Sequence, residues 1–268
     1  MKILMTNDDG IHGIGLILLA RALSKKHEVV VAAPDRERSA SSCGLTLHTP
    51  IHYQKAELAD YEGIEAYSIT GMPADCAKFA LSMLVPDAEL VVSGINIGGN
   101  LGTDINYSGT VGAALEACMA GYAAIAFSQH LKWPTEQQEI RKMLADSAEV
   151  AAEMVDDLDS SVLQGYIYNV NFPPVKREEV RGIKACQQGK LRYEGGYRME
   201  SDSFGRTHYW MAGKPVRQEY NETYQTDIKW IDEGYITISP LTWNLTAQSA
   251  MQDAECNISK INCAFPRL

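Results

Sequence analysis

The stretch KILMTNDDGIHGIGLILLARALSKKHEVVVAAP, residues 2–34, decides the fold class. Residues 2–6 are a short apolar run of the kind buried in a sheet. From Ile14 to Lys26 the apolar residues Ile17, Leu18, Ala20 and Leu23 recur at helical spacing, and Glu28 to Ala33 is a valine-rich run closed by Pro34. Strand, helix and strand within about thirty residues make the βαβ unit of a parallel sheet, because parallel neighbours need a crossover that a helix supplies. Between the first strand and the helix stand Asn7, Asp8, Asp9 and Gly10. Two readings of them stand side by side. Asn, Asp and Gly are ordinary strand-end turn residues, yet adjacent carboxylates disfavour joint ionisation unless a cation joins them.

The alternation continues outward. Met72-Pro73-Ala74-Asp75 opens a helix that runs through Leu84, and Leu90-Val91-Val92-Ser93 is another buried strand. A glycine-rich loop follows, then a helix from Thr110 to Gly121 and a strand from Ala123 to Phe127. Residues 135–158 form an amphipathic helix and 165–172 return as a strand. This pattern predicts a Rossmann-like, three-layer α/β/α core around a mostly parallel sheet. After Pro173-Pro174 the character changes. Residues 183–221 are rich in aromatic and charged side chains, with Gly195-Gly196 and Gly205 marking hairpin turns, before a helix-like segment at 226–233 and a strand at 235–239. We expect a single domain over 1–268, with a core over about 1–175 and an extension over about 176–268 for assembly or for covering a site.

Composition narrows the function. The 268 residues carry 24 basic and 34 acidic side chains, a formal net charge of −10. No broad basic surface neutralises a phosphate backbone, so nucleic-acid polymers are not expected partners. Cysteines at 43, 76, 118, 186, 256 and 263 form no C-x-x-C pair, which points to reduced thiols over a zinc site or disulfide framework. No run approaches the ~18 apolar residues of a membrane span, and the N-terminus does not have the pattern of a signal peptide. The expected setting is the cytoplasm, without a membrane partner.

In open parallel sheets ligands bind at the carboxyl ends of the strands, where three loops gather here. The first holds Asp8 and Asp9. The second, Pro34 to Ser42, contains Arg36, Arg38 and Ser39, and the third is GINIGGNLGTDINYSGT, residues 94–110. The carboxylates, a serine hydroxyl and an asparagine carbonyl would make an oxygen-only site suited to Mg²⁺ or Mn²⁺. Ser108-Gly109-Thr110 opens a helix, where free N–H groups and the dipole receive an anion; the alternative is a long surface loop with a serine or threonine cap. His12 reads as an acid or base, or as a first-turn residue. His208 reads as a solvated or stacking residue, and Arg36 and Arg38 as phosphate ligands or as ion-pair partners of Asp35 and Glu37. There is no G-x-x-x-x-G-K-[ST] and no G-x-S-x-G, which excludes a P-loop and an α/β-hydrolase. Asn7 stands where an Asp-x-Asp phosphatase would need an acid.

With these residues in view, the chain resembles the SurE (survival protein E) family of metal-dependent nucleoside-monophosphate phosphatases. The matching stretches are ILMTNDDGIHGIG, VVVAAPDRERSASS, GMPADC and LVVSGINIGGNLGTDINYSGTVGAALEA, with fainter agreement at YNVNFP and TDIKWIDEGYITISPL. The resemblance implies one divalent cation (Mg²⁺ or Mn²⁺) per subunit on Asp8, Asp9, Ser39 and Asn96. It also implies catalysis through Asp8 and Asp9, and phosphate binding at Asn100, Ser108, Gly109 and Thr110. Implied substrates are nucleoside 5′-monophosphates, with 3′-monophosphates and short polyphosphate as further candidates, and the implied assembly is a homodimer or homotetramer with exchanged C-terminal segments. One rival expectation is a nucleotide-sugar or glycosyl transferase, which would need a second acceptor domain that the sequence does not show; the other is a nucleotide-sensing regulator that keeps the site without turnover. Asp202-Ser203-Phe204-Gly205 and Thr226-Asp227-Ile228 depart from the family pattern of Asp-Pro-Arg-Gly and Thr-Asp-Trp.

Overall fold

The computed structural model describes residues 1–132, 134–216 and 225–262, so residues 217–221 of the expected aromatic segment lie outside the described residues. The chain begins β1 (Lys2–Thr6), α1 (Ile14–Leu23), β2 (Glu28–Pro34), β3 (Tyr53–Lys55), β4 (Glu65–Ile69), α2 (Pro73–Met83), β5 (Leu90–Ile97). It continues α3 (Gly109–Met119), β6 (Ala124–Gln129), α4 (Gln137–Asp156), β7 (Ile167–Phe172) and β8 (Ile183–Ala185). The remainder is β9 (Arg192–Glu194), β10 (Tyr197–Ser201), β11 (Thr207–Met211), β12 (Lys214–Val216), α5 (Asp227–Asp232), β13 (Ile236–Leu241) and α6 (Met251–Asn262).

The main sheet has nine strands in the order β3-β4-β2-β1-β5-β6-β7-β13-β8. From β4 to β7 every pairing is parallel, whereas β3 and β13 join antiparallel to β4 and β7. Strands β2 and β5 flank β1 on opposite sides, so the winding reverses at β1, the switch point where such sheets open a crevice.

Side chains alternate across the sheet with period two, as strand geometry requires. Ile3 and Met5 of β1 face α1 and α4, joining Leu16, Leu19, Leu23, Leu144 and Val155 in one apolar layer. Leu4 faces the other side, where Cys76 and Ala80 of α2 and Val111, Ala114 and Ala117 of α3 pack. The expected three layers are present. Small residues let α1 lie close to the sheet. A Cβ on Gly15 would fall 1.9 Å from the carbonyl oxygen of Ile95, so only glycine fits there.

Several elements differ from expectation. Helix α1 stops at Leu23, three residues early, where Ser24-Lys25-Lys26 turns back through a Lys26 N–H to Leu23 bond of 3.1 Å. Strand β5 runs on to Ile97 through a register shift between Ser93 and Asn96, which brings the start of the glycine-rich loop into the sheet. Strands β3 and β4 are absent from the pattern reading. Beyond residue 175 the chain both extends the sheet, through β13 and β8, and leaves it, as the pairs β10–β11 and β9–β12.

Candidate functional site

Loop one is stitched to loop two before either carries a functional group. Ile11 N–H donates to the Pro34 carbonyl at 2.8 Å, and Arg38 N–H donates to the Asp8 carbonyl at 2.7 Å. Loop two is tied in turn to loop three, with Ser42 N–H donating to the Tyr107 carbonyl at 3.0 Å. Together they enclose a cavity of about 430 Å³ at the carboxyl ends of β1 and β5, lined by Asp8, Asp9, Ser39, Asn96, Asn100 and Ser108. Six of the eight residues expected in the site therefore line one space. The other two, Gly109 and Thr110, start α3 behind it.

Asp8 is buried at 4% exposure, and the Thr110 hydroxyl donates to its Oδ1. Burial raises the Asp8 pKa, while the Thr110 hydroxyl and neighbouring backbone N–H groups, including those of Thr110 and Gly109, pull it back down. Asp9 is pushed up to about 7, first by burial and then by the charge of Asp8, with a backbone hydrogen bond from Ile97 opposing. Asp9 Oδ2 is a buried oxygen with no hydrogen-bond partner among the described residues. Burial and Asp8 thus both oppose the charge of this second carboxylate.

The neighbouring residues have more specific duties than their sequence suggested. Ser108 is the N-cap of α3 and accepts from Val111 N–H at 3.1 Å, the cap alternative of the two readings. Thr110 spends its hydroxyl on Asp8. Ser39 is exposed and donates to Glu37 Oε1 at 2.6 Å. Asn96 commits its amide nitrogen to the Gly98 carbonyl at 2.8 Å, which leaves its oxygen as the acceptor. Arg38 pairs with Asp35 at 3.2 Å and Arg36 lies 4.0 Å from the same carboxylate, the ion-pair alternative. His12 is exposed and does not line the cavity. His208 packs edge-on against Trp210 on β11.

Asn100 is held on every side. Its N–H donates to Asn171 Oδ1 at 2.8 Å, its carbonyl accepts from Asn169 and Asn171, and its own Nδ2 donates to Ser128 Oγ at 2.7 Å. The signal for this cradle was two asparagines at i and i+2 in the otherwise apolar strand IYNVNF, which put both on one face. Glu37, Asp104 and Tyr107 also line the cavity and were not singled out from the sequence. Their placement depends on how the loops fold.

Fold and site together define a doubly wound α/β protein whose ligand cavity, at the switch point, combines an acid pair with a helix N-terminus. Residues 3–195 match the family described as Survival protein SurE. The chain is 41% identical over 247 residues to a Thermoanaerobacter pseudethanolicus protein named 5′-nucleotidase SurE, covering 92% of this chain and 94% of that one. The protein of the same name from Trichodesmium erythraeum is 42% identical over 257 residues, covering 92% and 93%. The crystal structure of the SurE protein from Aquifex aeolicus superposes with a TM-score of 0.76 at 32% identity, over 94% of this chain and 98% of that one. The chain belongs to the SurE family.

Proposed function

We propose that the chain is a nucleotidase, a divalent-metal-dependent phosphomonoesterase that hydrolyses nucleoside 5′-monophosphates to nucleoside and phosphate. The relatives' printed name supports the reaction class. The observation that carries the reading is the adjacent pair of buried Asp8 and half-buried Asp9, in the cavity that Ser108 at the start of α3 also lines. Two bare carboxylates would repel a phosphate dianion, so the pair is useful to this substrate only with a cation between them.

The residues present fit such a cation. The proposed donors are two carboxylates, a hydroxyl and an amide oxygen, and among the described residues no group of three or more His, Cys, Asp and Glu competes with them. Asp8, Asp9, Ser39 and Asn96 offer only oxygen, the choice of Mg²⁺ and Mn²⁺, and the unpartnered buried Oδ2 of Asp9 lacks its counterpart otherwise. Bound there, the ion would polarise the phosphoryl oxygens and lower the pKa of a water. The chain's own residues do the rest. Ser108 fixes the helix start and lines the cavity at its positive end, Gly109 and Thr110 turn their N–H groups to Asp8, and Asn100 is locked in place on the same cavity. Thr110 holds Asp8 in a single orientation through its hydroxyl.

Phosphate release from AMP or GMP tests the reading. Activity should vanish in EDTA and return with Mn²⁺ or Mg²⁺; full turnover by thoroughly demetallated protein sinks the metal assignment, and tight nucleotide binding without phosphate release sinks catalysis. 3′-monophosphates and short polyphosphate belong in the same assay. We also propose a homodimer or homotetramer, supported by Tyr197, Met199, Tyr209, Trp210 and Met211, all exposed on the thin β10–β11 pair. Cytoplasmic residence accords with the free thiols of Cys43, Cys76, Cys118, Cys186 and Cys256. No described helix is long and apolar enough to cross a membrane.

A further inference from the structure

We propose, resting on the nucleotidase reading, that Asp104 and Tyr107 form the nucleoside end of the substrate site. In this arrangement Asp104 accepts hydrogen bonds from ribose hydroxyls and Tyr107 stacks on the base. Both line the same cavity as Asp8, Asp9 and Ser108. Its volume of about 430 Å³ falls in the range of small-molecule sites, more than a phosphate group occupies. One short turn, Gly102–Tyr107, carries both residues and leads directly into Ser108 and α3. Phosphate and nucleoside would therefore be read by successive residues of one segment.

That segment is fastened as a recognition element needs to be. Gly102 N–H donates to Asp227 Oδ2 at 2.8 Å, Gln188 Nε2 donates to the Gly102 carbonyl at 2.8 Å, and Thr103 Oγ1 donates to the Leu191 carbonyl at 2.7 Å. From the other side the Ser42 hydroxyl donates to the Asn106 carbonyl at 2.8 Å. Ile105 is buried beneath, while the Tyr107 side chain stays 65% exposed. An aromatic ring held at a cavity rim by a rigid backbone suits a base, because every base offers a π-face. Asp104 takes the Tyr193 hydroxyl on Oδ2, which orients the carboxylate and leaves Oδ1 for a ligand. A carboxylate accepting from ribose hydroxyls is the usual chemistry of nucleotide sites.

The test compares three substrates of the metal-loaded protein: AMP, ribose 5-phosphate (no base) and propyl phosphate (no base or sugar). Tyr107→Ala should lower the kcat/KM preference for AMP over ribose 5-phosphate about tenfold, mostly through KM, and Tyr107→Trp should restore it. Asp104→Ala, and more mildly Asp104→Asn, should lower the preference for ribose 5-phosphate over propyl phosphate by about tenfold. Equal losses on all three substrates would overturn the inference, since these residues would then act on the phosphate or the metal. Unchanged ratios in variants with wild-type circular dichroism would overturn it too. Wild-type protein that releases no phosphate from any nucleotide defeats the nucleotidase reading instead. Calorimetric binding of AMP to wild type and Tyr107→Ala then decides the subsite by itself: about tenfold weaker binding supports it, while equal or absent binding overturns it.

Discussion

Replacing Asp9 with asparagine should stabilise the metal-free protein, and by an amount that depends on pH in a fixed sense. In the folded chain the Asp9 pKa is raised from 3.8 to about 7, by burial first and by Asp8 second. Well below pH 3.8 the side chain is protonated both folded and unfolded and has no effect on stability. As pH rises towards 7 the unfolded chain releases the proton and the folded chain keeps it, so the wild type loses stability across that window. About three pH units at 1.36 kcal/mol each set the loss at up to about 4 kcal/mol by pH 8. The asparagine side chain cannot ionise, and Asp9 Oδ2, having no partner, gives up no hydrogen bond on replacement. For a chain of this size the difference corresponds to a Tm gain of about 5–10 °C for the variant at pH 8, shrinking to nothing by about pH 3. Scanning calorimetry in EDTA at several pH values measures it. Mn²⁺ should then raise the Tm of the wild type and not of the variant. A Tm gap that is flat with pH, or a variant less stable at pH 8, would refute the reasoning.

Other outcomes are equally open to measurement. Gly109→Val places a Cβ 2.5 Å from Ser41 Oγ and 2.8 Å from Asp8 Cβ; chemical denaturation should show a loss of about 1–3 kcal/mol, and kinetics a lower kcat for AMP. Asn171→Ala strands the buried N–H of Asn100, costing about 1–3 kcal/mol, and should raise KM for AMP even where the fold is retained. Light scattering at micromolar concentration should report a mass above that of one chain, and Trp210→Asp should reduce it; a monomeric wild type counts against the proposed assembly.

The parallel core was legible because its signals are local. Ile3 and Met5 face one layer and Leu4 the other, a period-two record that any buried strand leaves in sequence. The acid pair was legible for the opposite reason, as a breach of the apolar pattern directly after a strand. Strands β3 and β4 were not, since Tyr53–Lys55 is exposed throughout and Glu65–Ile69 is brief and mixed. Asp104 and Tyr107 were hidden because their position follows from bonds to Ser42, Gln188 and Asp227, remote along the chain. The cradle of Asn100 spans 71 residues to Asn171 and has no local signature beyond its two asparagines.

The bond from Asp227 to Gly102 joins positions 125 residues apart, and it sets an order of events during synthesis. A ribosome adding roughly 5–20 residues per second exposes the acid pair and the glycine-rich loop many seconds before the carboxylate that clamps the loop. The nascent chain can build most of its parallel sheet in that interval, with Ser42 already on the turn beside Ser108, yet the turn lacks its last clamp until Asp227 emerges. Products that end before Asp227 should consequently be folded in large part but lack this clamp on the turn. Full order in the Gly102–Tyr107 turn is therefore a late property, complete only once residue 227 has been made.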